Sequence, residues 1–533
     1  MRAATRTAGD VVAPSEAAPA AWIILALLIL ATGMDAINSS VLVIARGHIM
    51  GATRATPDEV AWVNMAYLAA KLTTFPIAAW MCLRIVSGTL IFAATTVLLV
   101  ASAACAMTDD LGTLIVWRIV QGPAGSLILV TSQFLLFRLF SRRQQGIVQA
   151  LFAFSVIMAP TTLTPILQGW AVDTGSWSWI FLASMPLGLC GLAASLLLPF
   201  GRAANARRGP FDWMGACLLA AGMTAIVFVT QEGSRYNWFD EPEIVKVTIA
   251  AAVAMIALVG WLFLSQRNGP LIEFAPFRDE HFGFGFLVSF VAGCALFGSA
   301  FVIPAFATTV LALSPTYAGL LLLPSGLLVC FGLLLAGSAI QFRSLDPTRP
   351  IPIGILCFMV AMWMMSGSTS QSGLPDLVPD LLLRGFGLGL LFVSLTLVTL
   401  NSLESAALAH GIALFSMGRQ LGGQFGTAWL GTYLDHQNAL NRTVLSQHID
   451  AGNPAFIQYR DAIEAALIAR GFNPESAGPA AVAVIQQHLA RQVATLSFNE
   501  CFLAVALLFL GAAPVLILCK VLLHRFCHHE QVH

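Results

Sequence analysis

Charged side chains are scarce in this chain. Of its 533 residues, 10% are charged and 58% are hydrophobic, whereas ordinary soluble domains carry about 25% charged residues. Lys plus Arg equal Asp plus Glu at 27 each, so no basic excess indicates nucleic acid as a partner. The sequence also lacks a phosphate-binding loop, a GxSxG or HExxH motif and a nucleotide fingerprint. These absences argue against an enzyme and against ATP as an energy source, and they predict no cofactor.

Cysteines give no sign of a metal site or a disulfide framework. Ten are present, and most, such as Cys105, Cys190, Cys294 and Cys357, lie inside apolar segments. None has the spacing of a metal ligand set. We interpret them as small core residues.

Long apolar segments dominate the sequence and predict an all-α polytopic membrane protein. Fourteen of them are long enough to span a bilayer, and we number them as spans one to fourteen. They are approximately residues 21–45, 60–82, 86–107, 111–137, 146–171, 178–200, 213–231, 245–265, 283–312, 317–341, 352–369, 377–402, 409–434 and 498–523. The first run is too long for the core of a signal peptide, so we interpret it as an uncleaved span.

Loop composition predicts how the spans are grouped. A basic, hydrophilic linker follows span six, which favours an N-terminal half of six helices over 21–203. Residues 204–268 then form a linker with two extra helices, and 269–533 form a C-terminal six-helix half. Residues 1–20 are polar and predict a disordered cytoplasmic tail.

The basic residues of the short loops predict the orientation in the membrane. An even number of spans puts both termini on one side. Eleven basic residues lie in short loops on that side and four on the other. The larger group is Arg84, Arg138, Arg142, Arg143, Arg202, Arg207, Arg208, Arg267, Arg278, Arg343 and Arg349, and the smaller is Arg46, Arg54, Arg235 and Lys246. The positive-inside rule therefore predicts cytoplasmic termini.

One external connection, 435–497, is much longer than the others. Stretches 456–470 and 479–496 within it have helical patterns. Connections of this length are usually functional or linkers, and a solvated hairpin without a partner is the alternative.

Two opposite charges stand deep in the predicted membrane. Asp35 is ~21 Å along span one from the cytoplasmic side, and Arg118 is ~10 Å from the outer end of span four. These depths nearly coincide in a core ~30 Å thick, so we expect the two side chains to meet if their helices adjoin. Gln121, Gly122 and Gly125 share the helix face of Arg118, which we expect to meet protein or a wet cavity, with Gln121 as a cavity candidate. A buried acid beside a base can take and release protons, and a static structural ion pair is the alternative.

Further charged residues lie in or at the edge of the spans. Lys71 is mid-span, where snorkelling to the surface is strained, so we expect it to face a cavity. Arg384, Arg419 and the edge residue Glu500 are further cavity candidates, with Glu500 pairing one of the cations. An excess of basic residues would favour anionic or neutral lipophilic substrates over cations.

Several motifs resemble those of one transporter family. WRIVQGPAG at 117–125 resembles the Arg-x-x-Gln-Gly motif in the fourth span of the major facilitator superfamily. Fourteen spans, PLIEFAPFRDEHFGFG at 270–285 and GRQLGGQFGTA at 418–428 are similar to the drug:proton antiporters of the EmrB/QacA-like type. The loop between spans two and three lacks the acidic partner of the family's usual motif.

This resemblance implies a major facilitator fold of two six-helix halves and two extra helices. It also implies proton-coupled efflux of lipophilic toxic compounds by alternating access across the inner membrane, with Asp35 as the family's span-one acid and Arg118 as its motif arginine. A long loop before the last span implies a tripartite pump with a periplasmic adaptor and an outer-membrane channel. The alternatives are an uncoupled or importing metabolite carrier and a non-transporting scaffold or sensor.

Overall fold

The computed structural model of the protein describes residues 19–40, 45–199, 201, 210–265, 271–404, 407–447 and 454–530. All the regular elements of these residues are helices. The predicted tail, 1–20, lies almost wholly outside the described residues. The protein is an all-α, polytopic membrane protein, as the sequence predicts.

The first part of the chain supplies the helices of the N-terminal half and the two extra helices. In chain order they are α1 (Pro19–Asn38), α2 (Arg46–Thr53), α3 (Pro57–Cys82), α4 (Ser87–Met107), α5 (Leu111–Leu139), α6 (Gln145–Met158), α7 (Thr164–Asp173), α8 (Trp179–Leu182), α9 (Met185–Leu196), α10 (Trp213–Glu232) and α11 (Pro242–Leu264).

The remainder supplies the C-terminal half. Its helices are α12 (Glu280–Thr309), α13 (Pro315–Leu320), α14 (Leu323–Phe342), α15 (Pro350–Met365), α16 (Leu374–Leu400), α17 (Leu408–Ser446), α18 (Pro454–Ala469) and α19 (Pro474–Glu530).

Eleven helical segments of the described chain are long and apolar enough to cross a membrane. Three further predicted spans are helices with a different character: α3 is less apolar, α15 has only 16 residues, and α17 continues into a polar extension. Each of the fourteen predicted spans therefore corresponds to a helix or to a pair of consecutive helices.

Local sequence explains where the helices that carry the charged residues begin. At the start of α3, the Thr56 side chain accepts a hydrogen bond from the Glu59 amide, and Glu59 Oε2 accepts one from the Thr56 amide at 2.8 Å. This reciprocal capping box satisfies two amides that the first helical turn leaves free. Asp110 caps α5 by accepting from the Thr113 amide at 2.7 Å.

Two prolines alter the middle of span five. Between α6 and α7 the chain forms a π-helical turn, Ala159–Leu163, which contains Pro160 and is followed by Pro165. Proline cannot donate the backbone hydrogen bond of a regular helix, and π-turns inside helices are often found at functional sites. Both prolines line a cavity described below.

Glycines allow several helices to pack backbone to backbone. A Cβ atom on Gly387 in α16 would lie 2.6 Å from the Gly354 carbonyl oxygen in α15, and one on Gly146 in α6 would lie 2.5 Å from that of Gly337 in α14. Any side chain at these positions would force the helices apart. The glycine-rich patterns thus serve close packing, as in other membrane helices.

The turn between the two extra helices contacts both halves of the protein. Arg235 forms an ion pair with Asp58 at the start of α3. Trp238 Nε1 donates a hydrogen bond to Thr432 Oγ1 in α17 at 3.0 Å. We call α10, α11 and their connecting turn the extra hairpin. Its connecting turn lies at the predicted external end and contacts the N-terminal half at Asp58 and the C-terminal half at Thr432.

The long external connection is mostly helical. Helix α17 extends twelve residues beyond its predicted end at 434, to Ser446, and α18 covers the predicted helix at 456–470. The second predicted helix, 479–496, is part of α19, which has 57 residues and continues through span fourteen. Asn441 Nδ2 joins α17 to α19 by donating to Glu500 Oε2 at 3.2 Å.

Candidate functional site

A buried charged pair lies at the centre of the candidate site. Lys71 Nζ in α3 donates to Asp35 Oδ2 in α1 at 2.6 Å, and Tyr67 Oη donates to Asp35 Oδ1 at the same distance. Lys71 also donates to Tyr67 Oη at 2.9 Å. Asp35 is 1% and Lys71 3% exposed. Such a pair is held only while both groups are charged, so a proton on the carboxylate would remove its ionic attraction.

Arg118 is not the ionic partner of Asp35, and this expectation was wrong. Its Nε donates to the Val63 carbonyl at 3.0 Å, and its Nη1 donates to the Asn38 carbonyl and to Gln121 Oε1 at 2.9 Å. The guanidinium lies 4.1 Å from the centre of the Tyr67 ring. Arg118 therefore contacts the Asp35 cluster through Tyr67 and fastens the end of α1 to α3 and α5.

The face of α5 that carries Arg118 is adapted to this cluster. Gln121 accepts from Arg118 and donates to Ser102 Oγ in α4 at 2.9 Å. A Cβ atom on Gly125 would collide with the Asp35 carboxylate. The predicted stripe of Gln121, Gly122 and Gly125 thus faces protein and makes room for the acid.

The other predicted cavity residues are engaged elsewhere. Arg384 donates through Nε and Nη2 to Ser299 Oγ and through Nη1 to Ser325 Oγ, joining α16 to α12 and α14. Arg419 lies over the Phe415 ring at 5.6 Å. Glu500 accepts from Asn441 rather than pairing with one of the buried cations. Their predicted role in a cavity therefore has no support from these contacts.

A cavity of about 600 Å³ opens at the predicted external end. Its lining combines the end of α1, both prolines of span five, the extra hairpin and the outer halves of α12 and α17. The lining residues are Ser39, Ser40, Arg46, Ala61, Asn64, Pro160, Pro165, Thr230, Gln231, Glu232, Ser234, Arg235, Phe297, Ala300, Phe301, Gln420, Gln424, Thr427, Ala428, Gly431 and Asp435. The volume of the cavity, and its lining of both polar and apolar side chains, suit a drug-sized amphipathic molecule.

The end of α1 connects the buried pair to the cavity. Ser39 and Ser40 line the cavity and follow Asn38, whose carbonyl accepts from Arg118. The amide side chain of Gln168 in α7 donates to the Ser40 carbonyl. A change at Asp35 can therefore reach the cavity wall through less than two turns of chain.

Sequence analysis missed several residues of the site. The hydrogen bond of Tyr67 to Asp35 was not predicted, although Tyr67 stands four residues before Lys71 on the same helix face and this spacing was an available signal. Glu232 ends α10 and lines the cavity, but it lies one residue beyond the predicted end of span seven. Arg46 and Arg235 were counted only as loop charges.

Comparison with known proteins agrees with this architecture. The model of the Major Facilitator Superfamily matches residues 27–427. The multidrug export protein EmrB of Haemophilus influenzae is 29% identical over 81% of this chain and 84% of its own length. EmrB of Escherichia coli K12 is 27% identical over 91% and 92%. The fatty acid resistance protein FarB of Neisseria gonorrhoeae is 25% identical over 96% and 98%.

Solved structures share the fold at low identity. A bacterial homologue of the human lysosomal transporter Spinster, inward-facing and unoccupied, has a TM-score of 0.56 at 12% identity, over 96% of this chain and 98% of that one. The human organic anion transporter MFSD10 has a TM-score of 0.53 at 12% identity, over 92% and 100%. The arrangement of helices and the match over most of the sequence lead to one conclusion: the chain belongs to the major facilitator superfamily, within which it is similar to the EmrB multidrug export proteins.

Proposed function

We propose that the protein exports lipophilic toxic compounds by alternating access and couples their export to proton entry. Membership of a transporter superfamily and relatives named for multidrug export support efflux rather than catalysis. The observation that carries the coupling is the buried Asp35–Lys71 pair, placed one turn from the cavity.

The contacts of Asp35 suggest how a proton would act. The charged carboxylate holds α1 against α3 through Lys71 and Tyr67. A proton on Asp35 removes this ionic attraction and leaves the Lys71 ammonium with neutral acceptors, the Asp35 carboxyl and the Tyr67 hydroxyl. The end of α1 is then held by Arg118 and by Gln168, which donates to the Ser40 carbonyl, and the cavity wall at Ser39 and Ser40 is held less tightly than before. Release of the proton on the other side restores the pair.

The charge preference of the cavity needs revision. The anionic preference rested on Lys71, Arg118, Arg384 and Arg419, and none of these is among the residues that line the cavity. Lys71 is paired with a carboxylate, whereas Arg118 and Arg384 donate to neutral oxygens. The proposal therefore covers lipophilic compounds of either charge.

Two further parts of the proposal concern location and partners. The resemblance to EmrB-like exporters is the basis for an inner-membrane location, and the loop charges support termini in the cytoplasm. Helix α17, with 39 residues, is ~58 Å long, and α19, with 57 residues, is ~85 Å long, so both exceed a hydrocarbon core of ~30 Å. With α18 they form a helical arm at the external end. We propose that this arm binds a periplasmic adaptor of a tripartite pump with an outer-membrane channel.

A reconstituted assay tests the export mechanism. Proteoliposomes with an acidic interior should accumulate ethidium or anilinonaphthalene sulfonate, because outward proton flow drives inward dye movement. Asp35→Asn should abolish accumulation driven by the pH gradient. Asp240→Asn, which changes an exposed acid in the extra hairpin, is the matched control and should transport normally.

Two outcomes would contradict the proposal. Accumulation by Asp35→Asn at the native rate would remove Asp35 from coupling. Failure of the native protein to accumulate either dye, with or without a pH gradient, would favour the scaffold or metabolite-carrier alternatives.

A further inference from the structure

Glu232 is a buried acid in the cavity wall without a partner. It is 4% exposed, although it ends α10 at the external end of the hairpin. No hydrogen bond or ion pair joins its carboxylate to another described residue. An ionised carboxylate in such a place is costly unless a donor or cation compensates it. The cavity that Glu232 faces is large enough to admit a ligand that carries such a donor or cation.

The nearest cations of the cavity already have other acceptors. Arg46 Nη2 donates to the Pro57 carbonyl at 2.9 Å, although it is close enough to attract Glu232 electrostatically. Arg235 is paired with Asp58. Arg46 therefore acts on Glu232 from a distance, and neither arginine gives its oxygens a direct partner among the described residues.

The charge balance of the wall favours a cation. Arg46 and Arg235 are the basic residues of the lining. Two acidic residues of the lining oppose them, Glu232 and Asp435, and Asp435 accepts a hydrogen bond from Ser234 at 2.9 Å. The charge of Arg235 is already compensated by Asp58, which is not a lining residue. Arg46 is then opposed by the two lining carboxylates, and this local excess of negative charge attracts cations into a cavity with low-dielectric walls.

The neighbours of Glu232 suit the remainder of an amphipathic cation. Phe297 and Phe301 of α12 line the same cavity and offer aromatic surface. Aromatic rings contact both apolar groups and cations favourably. The amides of Gln420 and Gln424 provide hydrogen-bonding groups that accept many substituents.

We infer that Glu232 is the residue at which this cavity binds the cationic group of a lipophilic substrate. The extra hairpin would thus contribute directly to substrate recognition, in addition to linking the two halves. The inference rests on the proposed export function, because it assigns a substrate class to the same cavity.

Binding of two ions with the same shape and opposite charge tests this assignment. The native protein in nanodiscs is titrated with tetraphenylphosphonium and with tetraphenylborate, and empty nanodiscs are subtracted. Glu232→Gln should weaken tetraphenylphosphonium binding by about tenfold or more, since a nearby opposite charge is lost. Tetraphenylborate binding should be unchanged or tighter. Glu232→Asp should retain part of the affinity for the cation.

Glu243→Gln is the control, because it removes an exposed carboxylate of the same hairpin outside the cavity. It should bind both ions as the native protein does. Unchanged tetraphenylphosphonium affinity in Glu232→Gln would overturn the inference, and so would equal weakening for both ions, which indicates a structural role. Absence of cation binding by the native protein would also overturn it. None of these equilibrium results depends on proton coupling, which Asp35→Asn tests separately.

Discussion

The ammonium of Lys71 lies 2.6 Å from the carboxylate of Asp35, and both side chains are almost completely removed from solvent. This pair joins α1 to α3 within the N-terminal half. Two charges buried together are tolerated because each compensates the other, and removal of one leaves the other uncompensated. The pair is therefore expected to behave as a unit in folding and in transport.

Removing one charge of the pair should destabilise the protein much more than removing both. Lys71→Met leaves Asp35 unpaired, and we expect it to destabilise the protein by about 3–5 kcal/mol. The double variant Asp35→Asn/Lys71→Met should be considerably more stable than Lys71→Met, because two neutral side chains of similar size replace the pair. Thermal unfolding of detergent-solubilised protein measures both effects.

If the double variant loses as much stability as the sum of the losses in the two single variants, this coupling is contradicted. The control is Lys246→Met, which removes a lysine of α11 from the part of the chain outside the charged cluster. We expect its unfolding temperature to stay close to that of the native protein.

The site illustrates what sequence can and cannot predict. Depth along the spans predicted that Asp35 and Arg118 lie near each other, and both contact Tyr67. Depth does not determine which helix faces which. Lys71, on α3, has the reach and direction to meet Asp35, and so takes the place that the sequence analysis gave to Arg118.

The fold was more predictable than the cavity. Apolar segments indicate spans because the bilayer core demands ~20 apolar residues per helix. The cavity instead joins residues from α1, the extra hairpin, α12 and α17, which are far apart in sequence. Glu232 was not predicted as a site residue, because the sequence at the end of an apolar segment does not indicate whether the polar residues there face water or protein.

Geometry of the guanidinium, rather than its charge alone, should matter at Arg118. Its Nε donates to the Val63 carbonyl, and its Nη1 donates in two directions, to the Asn38 carbonyl and to Gln121 Oε1. A lysine ammonium cannot reproduce this fork or stack on an aromatic ring in the same way. Arg118→Lys should therefore leave at least one buried oxygen without a hydrogen-bond donor and cost about 1–3 kcal/mol of stability.

The same conservative change at an exposed position provides the comparison for Arg118. Arg138 is an exposed residue in the last turn of α5, and Arg138→Lys should change thermal stability little. Equal unfolding temperatures for the two lysine variants would contradict a special role for the Arg118 geometry. Dye accumulation should fall in Arg118→Lys and persist in Arg138→Lys.

Close approach of α5 to α3 should make Gly122 intolerant of any side chain. A Cβ atom there would lie 2.5 Å from the Tyr67 carbonyl oxygen and 2.8 Å from the Lys71 amide nitrogen. Both neighbours are backbone atoms, so α3 itself would have to move. We expect Gly122→Ala to cost about 1–3 kcal/mol and to impair transport by displacing Lys71 and Tyr67 from Asp35.

A glycine in open space separates this packing effect from helix propensity. Gly260 in α11 has nothing within 4 Å of an added Cβ atom. Gly260→Ala should be neutral or stabilising by up to about 1 kcal/mol, because alanine favours the helix. Comparable losses at Gly122 and Gly260 would show that the close contact does not determine the outcome.

The cap of α5 should give a pH-dependent contribution to stability. Hydrogen bonds from Thr113 lower the pKa of Asp110 below its ordinary value. A lowered pKa in the folded protein means that the ionised carboxylate stabilises the fold above its unfolded pKa of about 3.9. This contribution is lost as the pH falls through the folded pKa. Asp110→Asn keeps a capping oxygen but removes the charge that favours a helix N-terminus.

Native protein should therefore unfold at a higher temperature than Asp110→Asn at pH 7. The difference should shrink as the pH falls below about 4, where the native carboxyl becomes protonated and resembles the amide. Unfolding temperatures of both proteins across this pH range measure the effect. A difference that is constant with pH would show that shape or hydrogen bonding, rather than ionisation of Asp110, separates the two proteins.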